Sequence, residues 1–225
     1  MLAIAHRGGN SLAALRHALA AGVDLVEADV RLFRGRPEIR HLKTLGPWLL
    51  WDHPWELVRR TTADLPSLDQ VLATLNGADR LMLDLKGSHP ALAPQVARTL
   101  RSTVPDTPIA VCTRHWRMLD AFRGDDVVRL VLSAGSRSQL GRLRVLLRSA
   151  PDRWPGRRRA FGVSVKRTLV TGDDVVDLRR AVDHVMTWPV DTPAELDQAQ
   201  RLGATGVIGK DLRLLGDVLA ARGPH

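Results

Sequence analysis

Seven polar side chains and one tryptophan stand where short aliphatic runs end. His6 and Arg7 close the run that opens at Leu2, and Glu27 and Asp29 lie late in Asp24–Leu32. His41 ends Pro37–His41, Asp84 and Lys86 close Arg80–Lys86, and Trp188 ends His184–Trp188. These runs are short and rich in Val, Leu and Ile, which predicts β-strands. Residues two apart on a strand share a face. Glu27 therefore points with Asp29, and Asp84 with Lys86, while Val26, Ala28, Val30, Leu83 and Leu85 point the other way. Carboxylates crowded on a partly buried face repel one another and lose hydration, a cost that a cation removes. Glu27, Asp29 and Asp84 offer oxygen alone, the donor that suits Mg²⁺ or Ca²⁺. The same residues also allow a structural reading, in which Glu27 and Asp29 pair with Arg7 or Arg31, and Asp84 with Lys86. Several charged strand ends pointing the same way favour a site.

A repeated alternation must position these groups. Strands begin at Leu2, Asp24, Arg80, Pro108, Val127, Phe161, His184 and Gly206. Stretches of helical period lie between them and after the last: Ser11–Ala21, Ser67–Leu75, Pro90–Thr103, His115–Arg123, Ser136–Ser149, Asp173–Ala181, Pro193–Leu202 and Leu212–Ala221, with Ser11 and Ser67 as N-caps. Regular β-then-α order implies parallel strands with helical crossovers. Eight such units predict an α/β fold, a single (β/α)8 TIM barrel filling residues 1–225, with the carboxyl ends of its strands as the active face. An open doubly wound sheet would carry Gly-x-Gly-x-x-Gly after its first strand, and His6-Arg7-Gly8-Gly9-Asn10 does not match.

Lys and Arg number 33 against 24 Asp and Glu, and the resulting net charge of +9 favours anionic partners. Arg157-Arg158-Arg159 follows Trp154-Pro155-Gly156 without interleaved aromatics and reads as a solvated loop, so no nucleic-acid partner is expected. No apolar run of about 18 residues predicts a transmembrane helix. The opening residues lack the basic-then-apolar pattern of a secretory signal. Cys112, the one cysteine, ends Ile109–Cys112 and reads as a small buried hydrophobe. Together these predict a cytoplasmic protein. Trp48, Trp51 and Trp55 fall in one stretch. It reads either as a lid giving transient contact with a membrane surface or, preferentially, as a packed loop plugging the barrel mouth. His53 within it reads as an exposed loop residue.

Several segments, in order, resemble the glycerophosphodiester phosphodiesterase family. Ala5-His6-Arg7-Gly8 resembles its opening motif, and Glu27-Ala28-Asp29-Val30 the Glu-x-Asp-Val that supplies metal ligands. Arg34–His41 resembles the segment that leads to the second catalytic histidine. Leu83-Asp84-Leu85-Lys86 resembles a Glu-x-Lys motif whose acid is a further ligand. Val185–Asp191 resembles a strand ending in a substrate-lining tryptophan, and Gly203–Gly209 the last strand. The departures are a contracted Gly9-Asn10-Ser11 that lacks a Glu, Leu42 after His41 where the family has Asp, Asp84 in place of Glu, and an insertion reduced to Leu42–Leu65. The resemblance implies metal-dependent hydrolysis of a small-molecule phosphodiester to glycerol 3-phosphate and an alcohol. His6 and His41 would be the acid and base, in either order, and Glu27, Asp29 and Asp84 the ligands of Mg²⁺ or Ca²⁺. Arg7 and Lys86 would bind phosphate, Lys43, two residues beyond His41, would replace phosphate contacts that the family draws from elsewhere, and Trp188 would wall the alcohol. The departures leave open another lipid-derived phosphodiester, or a weakened barrel that binds phosphorylated ligands without turnover.

Overall fold

A computed structural model describes residues 1–50, 57–59, 65–149 and 160–222. Trp51, His53, Trp55 and Arg157-Arg158-Arg159 lie outside the described residues. The strands are β1 (Leu2–Ala5), β2 (Leu25–Phe33), β3 (Arg36–Ile39), β4 (Lys43–Leu45), β5 (Trp48–Leu50), β6 (Leu57–Arg59), β7 (Leu81–Leu85), β8 (Ala110–Thr113), β9 (Arg129–Ala134), β10 (Ala160–Lys166), β11 (Val182–Trp188) and β12 (Gly206–Gly209). The helices are α1 (Leu12–Ala20), α2 (Leu68–Leu75), α3 (Leu92–Thr103), α4 (Arg137–Ser149), α5 (Gly172–Arg179), α6 (Pro193–Arg201) and α7 (Leu212–Ala220). Strands β1, β2, β7, β8, β9, β10, β11 and β12 pair in parallel, and β12 returns to β1. The result is the closed (β/α)8 barrel that the alternation predicts.

Period 2 divides each barrel strand between two environments. Val26, Ala28, Val30, Leu83 and Leu85 face outward into the main core beneath the helices. A second cluster contains Ile4, Leu25, Met82, Ala110, Cys112, Val131, Met186 and Ile208. It fills the barrel interior below the polar strand ends, and Cys112 is one of its packing residues, as expected. Each fully buried Ile, Leu or Met there contributes roughly 1.5–3 kcal/mol. The caps also stand as read: Ser11 accepts from Ala14, and Ser67 forms a capping box with Gln70.

One helix differs in type from the sequence reading, and one extended segment stands as read. Trp116–Phe122 is a 3₁₀ helix where the periodicity predicts an α-helix over His115–Arg123. The three-residue period stacks i with i+3, which places Leu119 and Phe122 together in the core with Trp116 against it. Pro37–His41, read as a short extended segment, contributes to β3, which runs antiparallel to β2. A two-residue turn joins them, with positive φ at both Arg34 (48°) and Gly35 (78°). Such turns match the twist of paired strands, and this one returns the chain to the barrel rim.

An ion pair closes the opposite end of the barrel. Arg222, just past α7, bonds both oxygens of Asp24, one at 2.8 Å, and also the Met1 carbonyl. Asp24 in turn accepts the Ala3 N–H at 2.6 Å. Burial alone would raise the Asp24 carboxyl, but the bonds from Arg222 and Ala3 outweigh it and hold it below 3.8. Stability from a lowered carboxyl is present above its unfolded value and is lost as pH falls through the folded one. Arg222→Ala is expected to cost about 1–2 kcal/mol at pH 7, and the deficit should shrink below about pH 4. Urea unfolding of both proteins at pH 7 and pH 3 checks this; an equal deficit at both would detach it from Asp24.

Candidate active site

The turn after β1 sets the first group of contacts. Arg7 adopts left-handed backbone (φ 57°) and leads into a 3₁₀ turn over Gly8–Asn10. That turn lies hard against β2: a Cβ on Gly9 would come within 2.6 Å of the Ala28 Cβ. Close approach lets the Arg7 N–H donate to Glu27 Oε2 at 2.6 Å. It also lets Asn10 bind Asp29 twice, donating to Oδ2 and accepting from the backbone N–H, each at 2.8 Å.

Strand register sets the second group. Asp29 on β2 stands directly beside Asp84 on β7. Glu27, Asp29 and Asp84 each present an oxygen, and these lie within 4.8 Å of one another. The Lys86 ammonium sits between two of them, 2.7 Å from Asp29 Oδ1 and in contact with Asp84. The ion-pair reading and the metal reading thus describe one cluster. Burial, with Asp29 adding to it, pushes the Glu27 carboxyl well above its ordinary range. Burial also raises Asp84 against the pull of Lys86. Burial would raise Asp29 as well, but the His41 hydrogen bond and Lys86 prevail and hold it low. Lys86 loses hydration, yet Asp84 and Asp29 more than compensate and raise it above 10.5. Two buried carboxylates and the half-buried Asp84 crowd around one ammonium, with the Arg7 guanidinium 3.5 Å from Asp29 Oδ2, an oxygen-only set that a divalent cation fits. Glu27, Asp29 and Asp84 are the residues that would hold it, and Asp29 Oδ1 retains a lone pair beside its bond to Lys86.

The hairpin β2–β3 delivers His41. Its Nδ1 lies 3.0 Å from Asp29 Oδ2, and its Nε2 lies 2.8 Å from Arg7 Nη2. Because guanidinium only donates, Nε2 is the acceptor and Nδ1 carries the proton. Arg31 Nε bonds the His41 carbonyl at 3.0 Å, and the buried Arg40 bonds the carbonyl of Leu42 and the hydroxyl of Thr44. His6 lines the same cleft. Burial, followed by the Arg7 charge, lowers its imidazole from 6.5 to about 4, so the ring is neutral near pH 7. Its Nδ1, like Arg7 Nε, is buried without a hydrogen-bond partner among the described residues.

Trp188 also lines the cleft. Lys43 does not: it lies exposed on β4, outside the cleft lining. The run that follows His41 turns away into the three-stranded sheet β4–β5–β6. Trp48 on that sheet is half-buried and Leu49 fully buried, whereas Leu45 and Leu57 are 55% and 48% exposed. Sequence reasoning missed Arg114, Ser133 and Ser164, which line the cleft from the ends of three further strands. Their period-2 spacing after Cys112, Val131 and Gly162 could have found them.

Three solved structures superpose along almost the whole chain. A phosphodiesterase from Oleispira antarctica, in complex with the product sn-glycerol-3-phosphate, is 16% identical with a TM-score of 0.75, covering 98% of this chain and 97% of its own. The glycerophosphodiester phosphodiesterase of Thermotoga maritima is 16% identical with a TM-score of 0.75, over 97% of this chain and 98% of its own. That of Parabacteroides distasonis is 18% identical with a TM-score of 0.71, over 98% and 97%. The fold is that of the glycerophosphodiester phosphodiesterases. No protein-family model matches the chain, and no curated protein does.

Proposed function

We propose that the chain is a metal-dependent phosphodiesterase that hydrolyses glycerophosphodiesters to glycerol 3-phosphate and an alcohol. One observation carries the reading: on the fold of such enzymes, His6, His41, Arg7 and Lys86 line one cleft with Glu27 and Asp84, and Asp29 anchors the set. Arg7 and Lys86 take the non-bridging phosphate oxygens, and Arg7 Nε, 3.5 Å from Asp29 Oδ2, makes no hydrogen bond among the described residues that would hold the guanidinium back. Bound by Glu27, Asp29 and Asp84, Mg²⁺ or Ca²⁺ would draw charge from the phosphate and acidify an attacking hydroxyl. His6, neutral at pH 7, accepts the proton of that hydroxyl, which belongs to water or to the substrate glycerol. The new P–O bond forms as the bond to the alcohol breaks; attack by water gives glycerol 3-phosphate at once, and attack by the glycerol hydroxyl gives a cyclic phosphate whose ring P–O bond a water then breaks. His41 gives the departing alkoxide its proton from the doubly protonated ring, in which Nε2 carries a proton and Arg7 has turned from it to the phosphate, while Asp29 on Nδ1 fixes the ring and compensates that charge. Trp188 walls the alcohol.

The test is release of glycerol 3-phosphate from glycerophosphoglycerol, glycerophosphoinositol, glycerophosphocholine and glycerophosphoethanolamine, with Mg²⁺, with Ca²⁺ and with EDTA. Release is expected with metal and is lost in chelator. Silence on every substrate points instead to another lipid-derived phosphodiester or to a barrel that only binds phosphorylated ligands. Asp84→Asn is expected to move metal activation to at least about tenfold higher concentration, because one carboxylate of three loses its charge. Full activity in excess chelator contradicts the metal assignment.

Transient contact with an acidic lipid surface is supported by the small sheet. Cross-strand register puts Lys43, Leu45 and Leu57 on one face, with both leucines exposed. No helix among the described residues is long and apolar enough to cross a membrane. Leu45→Ser with Leu57→Ser is expected to lower pelleting with anionic vesicles severalfold. Wild-type protein that stays in the supernatant removes this partner.

A further inference from the structure

We infer that Arg114 determines which alcohol the cleft accepts, disfavouring cationic head groups and favouring neutral or anionic polyols; this rests on the phosphodiesterase reading above. Arg114 follows the last residue of β8, yet its guanidinium stands 5.1 Å from the centre of the Trp188 ring at the end of β11. Between those strands in the ring lie β9 and β10. The side chain therefore reaches across part of the barrel mouth.

Its path is prepared by the neighbouring strand. Gly135 follows β9, and a Cβ there would come within 2.9 Å of Arg114 Cζ and 3.1 Å of Nε. The glycine leaves the lane in which the guanidinium lies. The turn carrying Arg114 is pinned on both sides. Thr113 Oγ1 accepts the His115 N–H at 3.1 Å and donates to the Leu85 carbonyl at 3.2 Å, while Trp116 Nε1 donates to the Ser133 carbonyl at 2.9 Å.

An exposed aromatic face beside a phosphate site attracts a cation through the ring quadrupole, and quaternary ammonium groups are recognised in this way. Here the protein places its own cation on that face. A choline or ethanolamine ammonium brought to Trp188 meets a like charge and finds the ring already engaged. A glycerol or inositol leaving group meets instead a planar set of N–H donors suited to hydroxyl oxygens, and an anionic substituent gains a charge partner. Ser133 and Ser164 line the same cleft and add hydroxyls.

The experiment compares kcat/KM for glycerophosphoglycerol, glycerophosphoinositol and glycerophosphocholine. Wild-type protein is expected to favour the first two over the choline ester at least tenfold. Arg114→Gln should shift that ratio at least tenfold toward choline, mainly through KM. Gly135→Ala keeps the charge but pushes the guanidinium off the ring, and should shift the ratio the same way by a smaller factor. A role of Arg114 through the nearby Asp84 alone would lower kcat for all three substrates together and leave the ratio unchanged, which overturns the inference. Choline preference in wild-type protein overturns it as well. Absence of hydrolysis on every substrate overturns the glycerophosphodiester reading on which the inference rests.

Discussion

His6→Ala and His41→Ala are each expected to lower turnover by about 10²–10⁴-fold while the folded barrel persists. Each histidine occupies the rim of the cleft rather than its packed floor, which is built from Ile4, Leu25, Met82 and their neighbours. Truncation therefore removes a proton acceptor or donor without opening a cavity in the core. The two losses differ in character. His6 is held neutral by burial and by the Arg7 charge, with its imidazole lowered to about 4, so its removal takes away the acceptor for the attacking hydroxyl. His41 is oriented by Asp29 on Nδ1, and its Nε2, once parted from Arg7 and protonated, faces the leaving group, so its removal takes away the proton for the alkoxide. A substrate whose leaving group is already a stable anion needs no such proton. Nitrophenyl esters should therefore recover much of the lost rate in His41→Ala and little in His6→Ala. Turnover on natural and activated esters, with circular dichroism as the control for folding, checks both. Equal recovery in the two variants would reverse or remove the assignment, and near-normal activity in either would discard it.

Asp29→Asn is expected to damage turnover and stability together. Asp29 is fully buried and receives Asn10, His41 and Lys86 at once. Neutralising it leaves the Lys86 ammonium with less compensation in a low-dielectric site, and removing one partner of a buried pair typically costs about 3–5 kcal/mol. Asp84 still contacts Lys86, which places the expected loss near the lower end, about 3 kcal/mol. The new amide also presents a donor where His41 Nδ1–H needs an acceptor, and an inverted histidine tautomer costs on the order of 10⁴-fold in related acid–base sites. Urea unfolding read beside turnover separates this variant from His6→Ala, which should change turnover alone, and from His41→Ala, in which Asp29 loses one bond but keeps Lys86 and Asn10. Wild-type stability in Asp29→Asn would mean that Asp29 is a dispensable ligand rather than the anchor of the cluster.

The sequence by itself determined the barrel and the sidedness of its strands. Alternation of strand and helix specified the topology, and period 2 on β2 and β7 specified that Glu27, Asp29, Asp84 and Lys86 turn inward. Local rules suffice for these because a strand has only two faces, and a Ser before a helix caps it wherever it stands. The tertiary structure decided everything that depends on distance across the ring. Register between β2 and β7 set Asp29 beside Asp84 with Lys86 between them. Packing of the Gly9 turn on Ala28 brought Asn10 to Asp29. Lys43, two residues from His41, was carried out of the cleft because the chain enters a separate sheet there. Arg114, 74 residues before Trp188, met it because the ring closes and Gly135 leaves room. Spacing along one strand is fixed by bond geometry, whereas a meeting between strands is fixed only when hydrogen-bond register and side-chain packing are satisfied together.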